Sequence, residues 1–520
     1  MKRIKIEPEG LYHWVHTEDL EEVDCIHSRV NRTFIRKMLD GLKEEIPELQ
    51  GVNLVSVDYY NHDYQENGTP TLTNLLPFYR VQLNKPLDSE HTTRITVWLP
   101  VKWNARFIGL AGTGASTDCA WRQAIGTNIL TWPLAVNNGF ACASTDGGLG
   151  GPDNFEWGFC KDGSLNRAQI DSWCHRATHE MTVIGKLIVQ GLYDEIPEKC
   201  YMHGTSGGGR QAMEEVQRYP KDYDGVWADS PAMDYNRLNF SALWAAIVMN
   251  NEGHTIPLVK FQTVYDWMLG RYSKNGEYIA GLKQSWIPKK EELCGLITPV
   301  GAVTEEDYRI MRKIWEGPVC ADGSRMGYGF GPEIIQWPYD SHPYGYLQFN
   351  EAGDPILMAP AEQAMRWYTG DPDWDWKTCS YEDFEKIYHR AEQEFSEIAA
   401  YNPDLTAFVE KGGKLLITHG SGDPVIPWRI CTEYYRQALQ HFEDEEQMNE
   451  SVCLFLQPGA GHSTLGWAGP TICNSVGMAA LMDWVENGNA PRIILTVKYD
   501  IYTDTIRDQF ASQRFNMWML

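Results

Sequence analysis

The sequence predicts an α/β protein, a mostly parallel sheet covered by helices on both faces and interrupted by a large insertion. Three observations predict it. Short β-branched or aromatic runs that end in Gly, Thr or Asp alternate with segments of helical periodicity in the first half of the chain. The same alternation resumes towards the C-terminal end. Between the two, from about Met233 to Asp404, the pattern changes to Trp- and Tyr-rich helices and long irregular stretches.

In chain order, residues 1–90 read as an N-terminal extension with one helix near 33–44. Strands follow at ITVWLP (95–100), RFIGLAGTG (106–114) and FACASTD (140–146). A helix is expected over 176–192, where Met181, Ile184 and Ile188 recur at spacings of three and four. The second run supplies the strand GKLLITHG (413–420), a helix near 428–441, the strand VCLFLQPG (452–459) and a helix near 475–487. The expected division is therefore an extension (1–90), a catalytic core (91–235 and 401–500), an inserted lid (236–400) and a C-terminal tail (501–520).

The chain has 520 residues, enough to bury a core without disulfides. Its 12 cysteines form no CxxC pair and no Cys/His cluster at metal spacing, so free thiols are expected and a zinc site is not. Seventy acidic against 45 basic residues give a formal charge of -25, which repels phosphate backbones and anionic lipid surfaces and excludes nucleic acid and membranes as expected partners. No apolar run is long enough to span a bilayer. The N-terminus meets Glu7, Pro8 and Glu9 before any apolar stretch, so no secretory leader is predicted and the expected location is cytoplasmic, with a secreted form that has lost its leader as the alternative.

The chemistry centres on KCYMHGTSGGGRQAMEE (199–215), where a strand runs through Gly204-Thr205-Ser206-Gly207-Gly208 into a helix. A G-x-S-x-G turn between strand and helix exposes its serine on a strained backbone, and the flanking glycines let the two elements pass closely. The Gly207 amide, at the helix N-terminus, then points to where an oxyanion would form. The competing reading, a phosphate cradle, lacks the GK[ST] that should follow. A serine hydroxyl needs a base and an orienting carboxylate. Asp423 follows the strand KLLIT in HGSGDPVIP, and His462 follows VCLFLQ in PGAGHST; both lie in loops at strand carboxyl ends, in the order Ser, Asp, His. His175 and His179 sit four apart on a helix, but no third metal ligand has suitable spacing, so they are read as structural. Asp371, Asp373 and Asp375 in DPDWDWKT are interleaved with Trp374 and Trp376, which read as packing anchors.

The chain resembles the tannase and feruloyl esterase family from about Leu76 to Lys498. The stretches that carry the resemblance are WLPVKWNARFIG (98–109), RATHEMTV (176–183), HGTSGGGRQAMEEVQRYPKDYDG (203–225), MRKIWEGP, DPDWDWKT, NPDLTAFVEKGGKLL (402–416), HGSGDPVIP (419–427) and PGAGH (458–462). The resemblance implies an α/β-hydrolase core with a large lid, and hydrolysis of esters of aromatic acids such as gallate or ferulate. It implies Ser206 as nucleophile, His462 as general base and acid, and Asp423 as the group that orients the imidazole. The second oxyanion amide is expected from AGTGAS, with Gly114 favoured and Thr113 as competitor.

Three departures stand out. Thr205 and Ser463 occupy positions where the family has a bridged cysteine pair, Tyr79 replaces a cysteine in PFYRV, and residues 293–304, LCGLITPVGAVT, hold no carboxylate where the family has an Asp-rich calcium loop. No cofactor and no metal are therefore expected. Thr205 and Ser463 are expected to touch beside the triad. The leading expectation is a serine carboxylic-ester hydrolase for a small aromatic ester; the alternatives are an acyltransferase, a lactone or carbon–carbon bond hydrolase on the same triad, and a catalytically silent ligand-binding relative.

Overall fold

Apolar, β-branched strands separated by helices can hide both faces of a sheet only by stacking in parallel beneath those helices. The computed structural model describes residues 3–5, 13–65, 71–118, 130–149, 157–274, 278–279, 286–334, 345–462, 469–500 and 505–517. Within them, β1 (Asn53–Tyr60), β2 (Phe78–Pro86), β3 (Thr92–Pro100), β4 (Arg106–Leu110), β5 (Ala141–Thr145), β6 (Lys199–Thr205), β7 (Gly225–Asp229), β8 (Lys414–Gly420) and β9 (Val452–Gln457) form one sheet. The spatial order is β9-β8-β7-β6-β4-β5-β3-β2-β1. The strands from β9 to β5 are parallel, and β3, β2 and β1 add an antiparallel edge.

Residues 1–90 thus differ from the expected extension, because β1 and β2 are members of the sheet. Their half-exposed, alternating pattern gives a weaker signal than the continuous apolar runs of the central strands. Part of the expected tail is likewise a strand: β11 (Thr505–Gln513) pairs antiparallel with β10 (Ile493–Asp500).

Neighbouring residues on the central strands point to opposite faces, as strand geometry requires. Met202, Val226, Ala228, Leu415 and Ile417 pack on one face with α3 (Ala177–Tyr193) and α4 (Gly207–Arg218). Tyr201, Trp227 and Leu416 pack on the other with α2 (Trp132–Asn137) and α11 (Asn474–Asn487), through Trp132, Met478, Leu481 and Trp484. The extension also carries α1 (Arg32–Leu42), capped by Asn31, whose side chain accepts from the Phe34 amide.

The insertion leaves the sheet after β7 and returns before β8. It contains α5 (Tyr235–Glu252), α6 (Leu258–Tyr272), α7 (Glu305–Glu316), α8 (Ala359–Thr369) and α9 (Tyr381–Glu394). Helix α5 is buried along almost its whole length and contacts α7, α8 and α9. Phe240 sits among the rings of Tyr368, Phe384 and Tyr388, with centroids 4.7–6.1 Å away. The ends of the insertion are tied together: the Tyr235 amide donates to the Ala399 carbonyl at 3.1 Å, and the Asn236 amide group donates to the Ala391 and Phe395 carbonyls at 3.2 Å. In the segment 293–304, which holds no carboxylate, residues Ile297–Thr298 and Gly301–Ala302 form a small hairpin.

Candidate active site

Ser206 follows β6 directly, with φ 62° and ψ -120°, a conformation that costs a non-glycine residue and persists only when its surroundings hold it. The surroundings are specific. The Ser206 amide donates to the Asp229 carbonyl at 2.9 Å, and the Ser206 carbonyl accepts from Ala232 at 3.0 Å and Arg210 at 3.0 Å. A Cβ on Gly204 would strike the Gly208 carbonyl and Ala111, so only glycine lets β6 and α4 cross this closely.

Gly207 and Gly114 lie against each other: a Cβ on Gly207 would run into the Gly114 backbone, and Gly114 itself has φ +57°. The two predicted oxyanion residues are therefore backbone neighbours. The side chain of Gln211, on α4, holds their loop by accepting from the Gly112 amide at 2.9 Å while donating to Thr178 at 2.8 Å. Sequence reasoning missed Gln211, since nothing in its neighbours sets it apart from other helix residues. Beneath it, fully buried Arg210 donates to the Cys174 and Trp173 carbonyls at 2.7 and 3.0 Å and stacks on the Trp173 ring at 3.8 Å.

Asp423 follows β8 and is completely buried. Its Oδ1 accepts from the Val425 and Ile426 amides at 2.8 and 3.0 Å. Its Oδ2 accepts from His462 Nδ1 at 2.7 Å and from His419 Nε2 at 3.1 Å. Burial alone would raise the Asp423 pKa, but the His462 and His419 rings reverse this and hold it well below the usual carboxylate range. Because the carboxylate only accepts, His462 Nδ1 carries the proton and the lone pair is left on Nε2.

A second carboxyl lies close by. Asp229, at the end of β7, is buried; its Oδ1 accepts from the Thr418 hydroxyl at 2.6 Å and its Oδ2 lies 3.5 Å from the Thr205 hydroxyl. Burial raises its pKa, partly offset by the Thr418 hydrogen bond and by His203, His419 and His462 nearby. Thr205 thus faces Asp229, while Ser463, its expected partner, lies outside the described residues. Tyr79, at another lost-cysteine position, pairs its hydroxyl with His27 Nδ1 at 2.7 Å.

The two helical histidines have protein partners. His175 Nδ1 lies 2.6 Å from the Tyr219 hydroxyl, and His179 Nδ1 lies 2.7 Å from Asp222 and stacks on Tyr219 at 3.8 Å. His179, Asp222 and buried Glu215 come within reach of one another, with the Lys186 ammonium on the Asp222 carbonyl. Burial, followed by the Asp222 charge and a carboxyl–carboxyl hydrogen bond with Asp222, pushes the Glu215 pKa far upward. Asp375 caps a short 3₁₀ turn, and Trp374 and Trp376 pack partly buried against the core.

The family model for tannase and feruloyl esterase matches residues 82–510. The chain belongs to the tannase and feruloyl esterase family. It is a carboxylic-ester hydrolase. Among curated relatives, a probable feruloyl esterase of Arthroderma benhamiae is 28% identical over 430 residues, covering 76% of this chain and 74% of the relative. Feruloyl esterase B of Aspergillus niger is 27% identical over 441 residues, covering 79% and 78%. The crystal structure of feruloyl esterase B from Aspergillus oryzae superposes with a TM-score of 0.75 at 21% identity, covering 92% of this chain and 95% of the other. Tannin acyl hydrolase from Aspergillus niger does so with a TM-score of 0.73 at 20% identity, covering 92% and 91%. The chain therefore has the α/β-hydrolase fold of these structures, and its own sheet carries a long insertion between β7 and β8.

Proposed function

We propose that this esterase cleaves esters of phenolic acids through an acyl-enzyme on Ser206. The observation that carries the reading is the 2.7 Å contact between His462 Nδ1 and buried Asp423, which fixes the tautomer that a general base requires. His462 Nε2 takes the proton from Ser206 Oγ as that oxygen attacks the ester carbonyl carbon. The amides of Gly207 and Gly114 receive the oxyanion. Collapse expels the alcohol, which leaves with the proton now on His462. Water, deprotonated by the same ring, then attacks the acyl-enzyme and releases the acid.

The phenolic preference is supported by the curated relatives named as feruloyl esterases and by the aromatic insertion. Residues 236–400 serve as a lid in this reading. A groove of about 870 Å³, lined on the lid by Trp244, Trp286, Trp315 and Tyr381 and from the core by Arg429, offers aromatic walls for a planar ring; no triad residue lines it, so in this reading it holds a part of the substrate away from the scissile ester. The test is labelling by a fluorophosphonate followed by kinetics on feruloyl, galloyl and acetyl esters. Modification at Ser206 and kcat/KM at least tenfold higher for the aromatic acyl esters are expected. Labelling elsewhere, or preference for acetate, would overturn the reading.

A further inference from the structure

His419 is the second histidine on the Asp423 carboxylate, and nothing in the proposed reaction uses it. It is the penultimate residue of β8, four before Asp423, is fully buried, and has both ring nitrogens engaged. Its Nε2 lies 3.1 Å from both Asp423 Oδ2 and the Ile426 carbonyl, and its Nδ1 lies 3.1 Å from Cys431 Sγ on α10 (Arg429–Ala438). A carbonyl oxygen only accepts, so Nε2 carries a hydrogen in either charge state of the ring. That hydrogen is shared between the carbonyl at the far end of the Asp423 loop and the oxygen that His462 uses.

We infer that His419 is a positioning residue for the triad. Its Nε2–H holds Oδ2 of Asp423 in the line of His462 and ties the loop Gly420–Ile426 closed behind it. The inference rests on the Ser206–His462–Asp423 reading.

Two consequences separate this role from mere core packing. First, a donor on Oδ2 withdraws negative charge from the carboxylate, so the His462 imidazolium is less stabilised than it would be by Asp423 alone. Loss of the donor should therefore move the acid limb of the kcat/KM profile to higher pH. Second, it should lower kcat more than it raises KM, because the misplaced group is the base and not the substrate site. The titratable groups facing His419 are Asp423 from its own loop, Cys431 from α10 and Asp229 from β7. Burial by itself would lower the His419 pKa, but Cys431 and Asp423 outweigh it and hold it well above the ordinary histidine value.

The test pairs two amide variants in the full chain. His419→Gln can place an amide N–H near the position of Nε2, whereas His419→Asn places it near Nδ1, toward Cys431. Near-ultraviolet circular dichroism and thermal melting check that both are folded. His419→Gln should keep kcat within about threefold, and His419→Asn should lose about tenfold to a hundredfold in kcat with its acid limb shifted upward. Equal kcat in the two variants with an unshifted limb, whether both are active or both impaired, would overturn the inference and leave His419 a packing residue. Failure of Ser206 labelling in the unaltered protein would instead overturn the triad on which the inference rests.

Discussion

The Thr418 hydroxyl donates to Asp229 Oδ1 across 2.6 Å and accepts from the Trp227 indole N–H at 2.8 Å, joining β8 to β7 beside the nucleophile turn. The Thr205 hydroxyl, 3.5 Å from the other oxygen, is at the limit of hydrogen bonding. Thr418→Val should therefore destabilise the fold by about 1–3 kcal/mol, since it strands a buried carboxyl and a buried indole donor. Thr205→Val should cost less than about 1 kcal/mol. Urea unfolding of both variants measures the difference, and equal losses would contradict the ranking.

Ser206→Ala should lower kcat by about a millionfold while leaving the melting temperature within a few degrees of the parent. Removal of the side chain also relieves none of the backbone strain, because alanine meets the same positive φ. Steady-state kinetics and covalent labelling check this directly.

Burial and the neighbouring Asp222 carboxylate raise the Glu215 pKa in the folded protein, so its contribution runs opposite to that of an ion-paired carboxylate. Its folded pKa lies far above 4.5. The unfolded chain releases its proton as pH rises past that value while the folded chain retains it, and stability is lost over that interval. Glu215→Gln, which mimics the protonated form, should match the parent near pH 4 and exceed it in melting temperature at pH 8. A constant difference at both pH values would show that Glu215 is charged when folded.

Trp286 lines the insertion's groove and packs edge-on to Tyr272 at a centroid distance of 4.7 Å. Trp286→Ala should reduce kcat/KM for a feruloyl ester by about tenfold or more and leave acetyl-ester cleavage nearly unchanged. Comparable losses on both substrates would place the groove outside substrate recognition.

Treatment with EDTA should leave ester hydrolysis and melting temperature unchanged. The reason is the composition of residues 293–304, which supply a hairpin with an exposed Ile297 and no carboxylate for a calcium ion. A loss reversed by added calcium would contradict this.

Most of the central strands and of the helices on them were legible because a strand covered on both faces must be apolar throughout, as in KLLIT, and a covering helix must repeat its apolar residues, as Met181, Ile184 and Ile188 do; the five-residue β7 and six-residue α2 were too short to show a pattern. Strands β1 and β2 were not, since they lie at an edge where polar residues alternate with buried ones. Ser206, Asp423 and His462 announce themselves by motif and order, and the structure places Asp423 and His462 in contact. The roles of Gln211 and Asp229 depend on side chains meeting across 99 residues from Gly112 and 189 from Thr418, which no local pattern encodes. His419 did carry a local signal, its spacing of four from Asp423, and that signal reads as a motif flank until the loop is seen to fold back.

The hydrogen bonds between Tyr235 and Ala399, and from Asn236 to Ala391 and Phe395, tie the two ends of the insertion together at its base. Both sides of that base rise from adjacent, directly paired strands, β7 and β8. Whatever lies beyond it can lengthen, shorten or be replaced without changing the register of the sheet below, because the two attachment points keep their separation. For protein engineering this sets the terms of an exchange: a cap taken from another member of the family and joined at this base would leave the strand register alone, but it would have to replace the walls it leans on, Trp367 against Trp157 and Trp173 and Glu333 against Arg429.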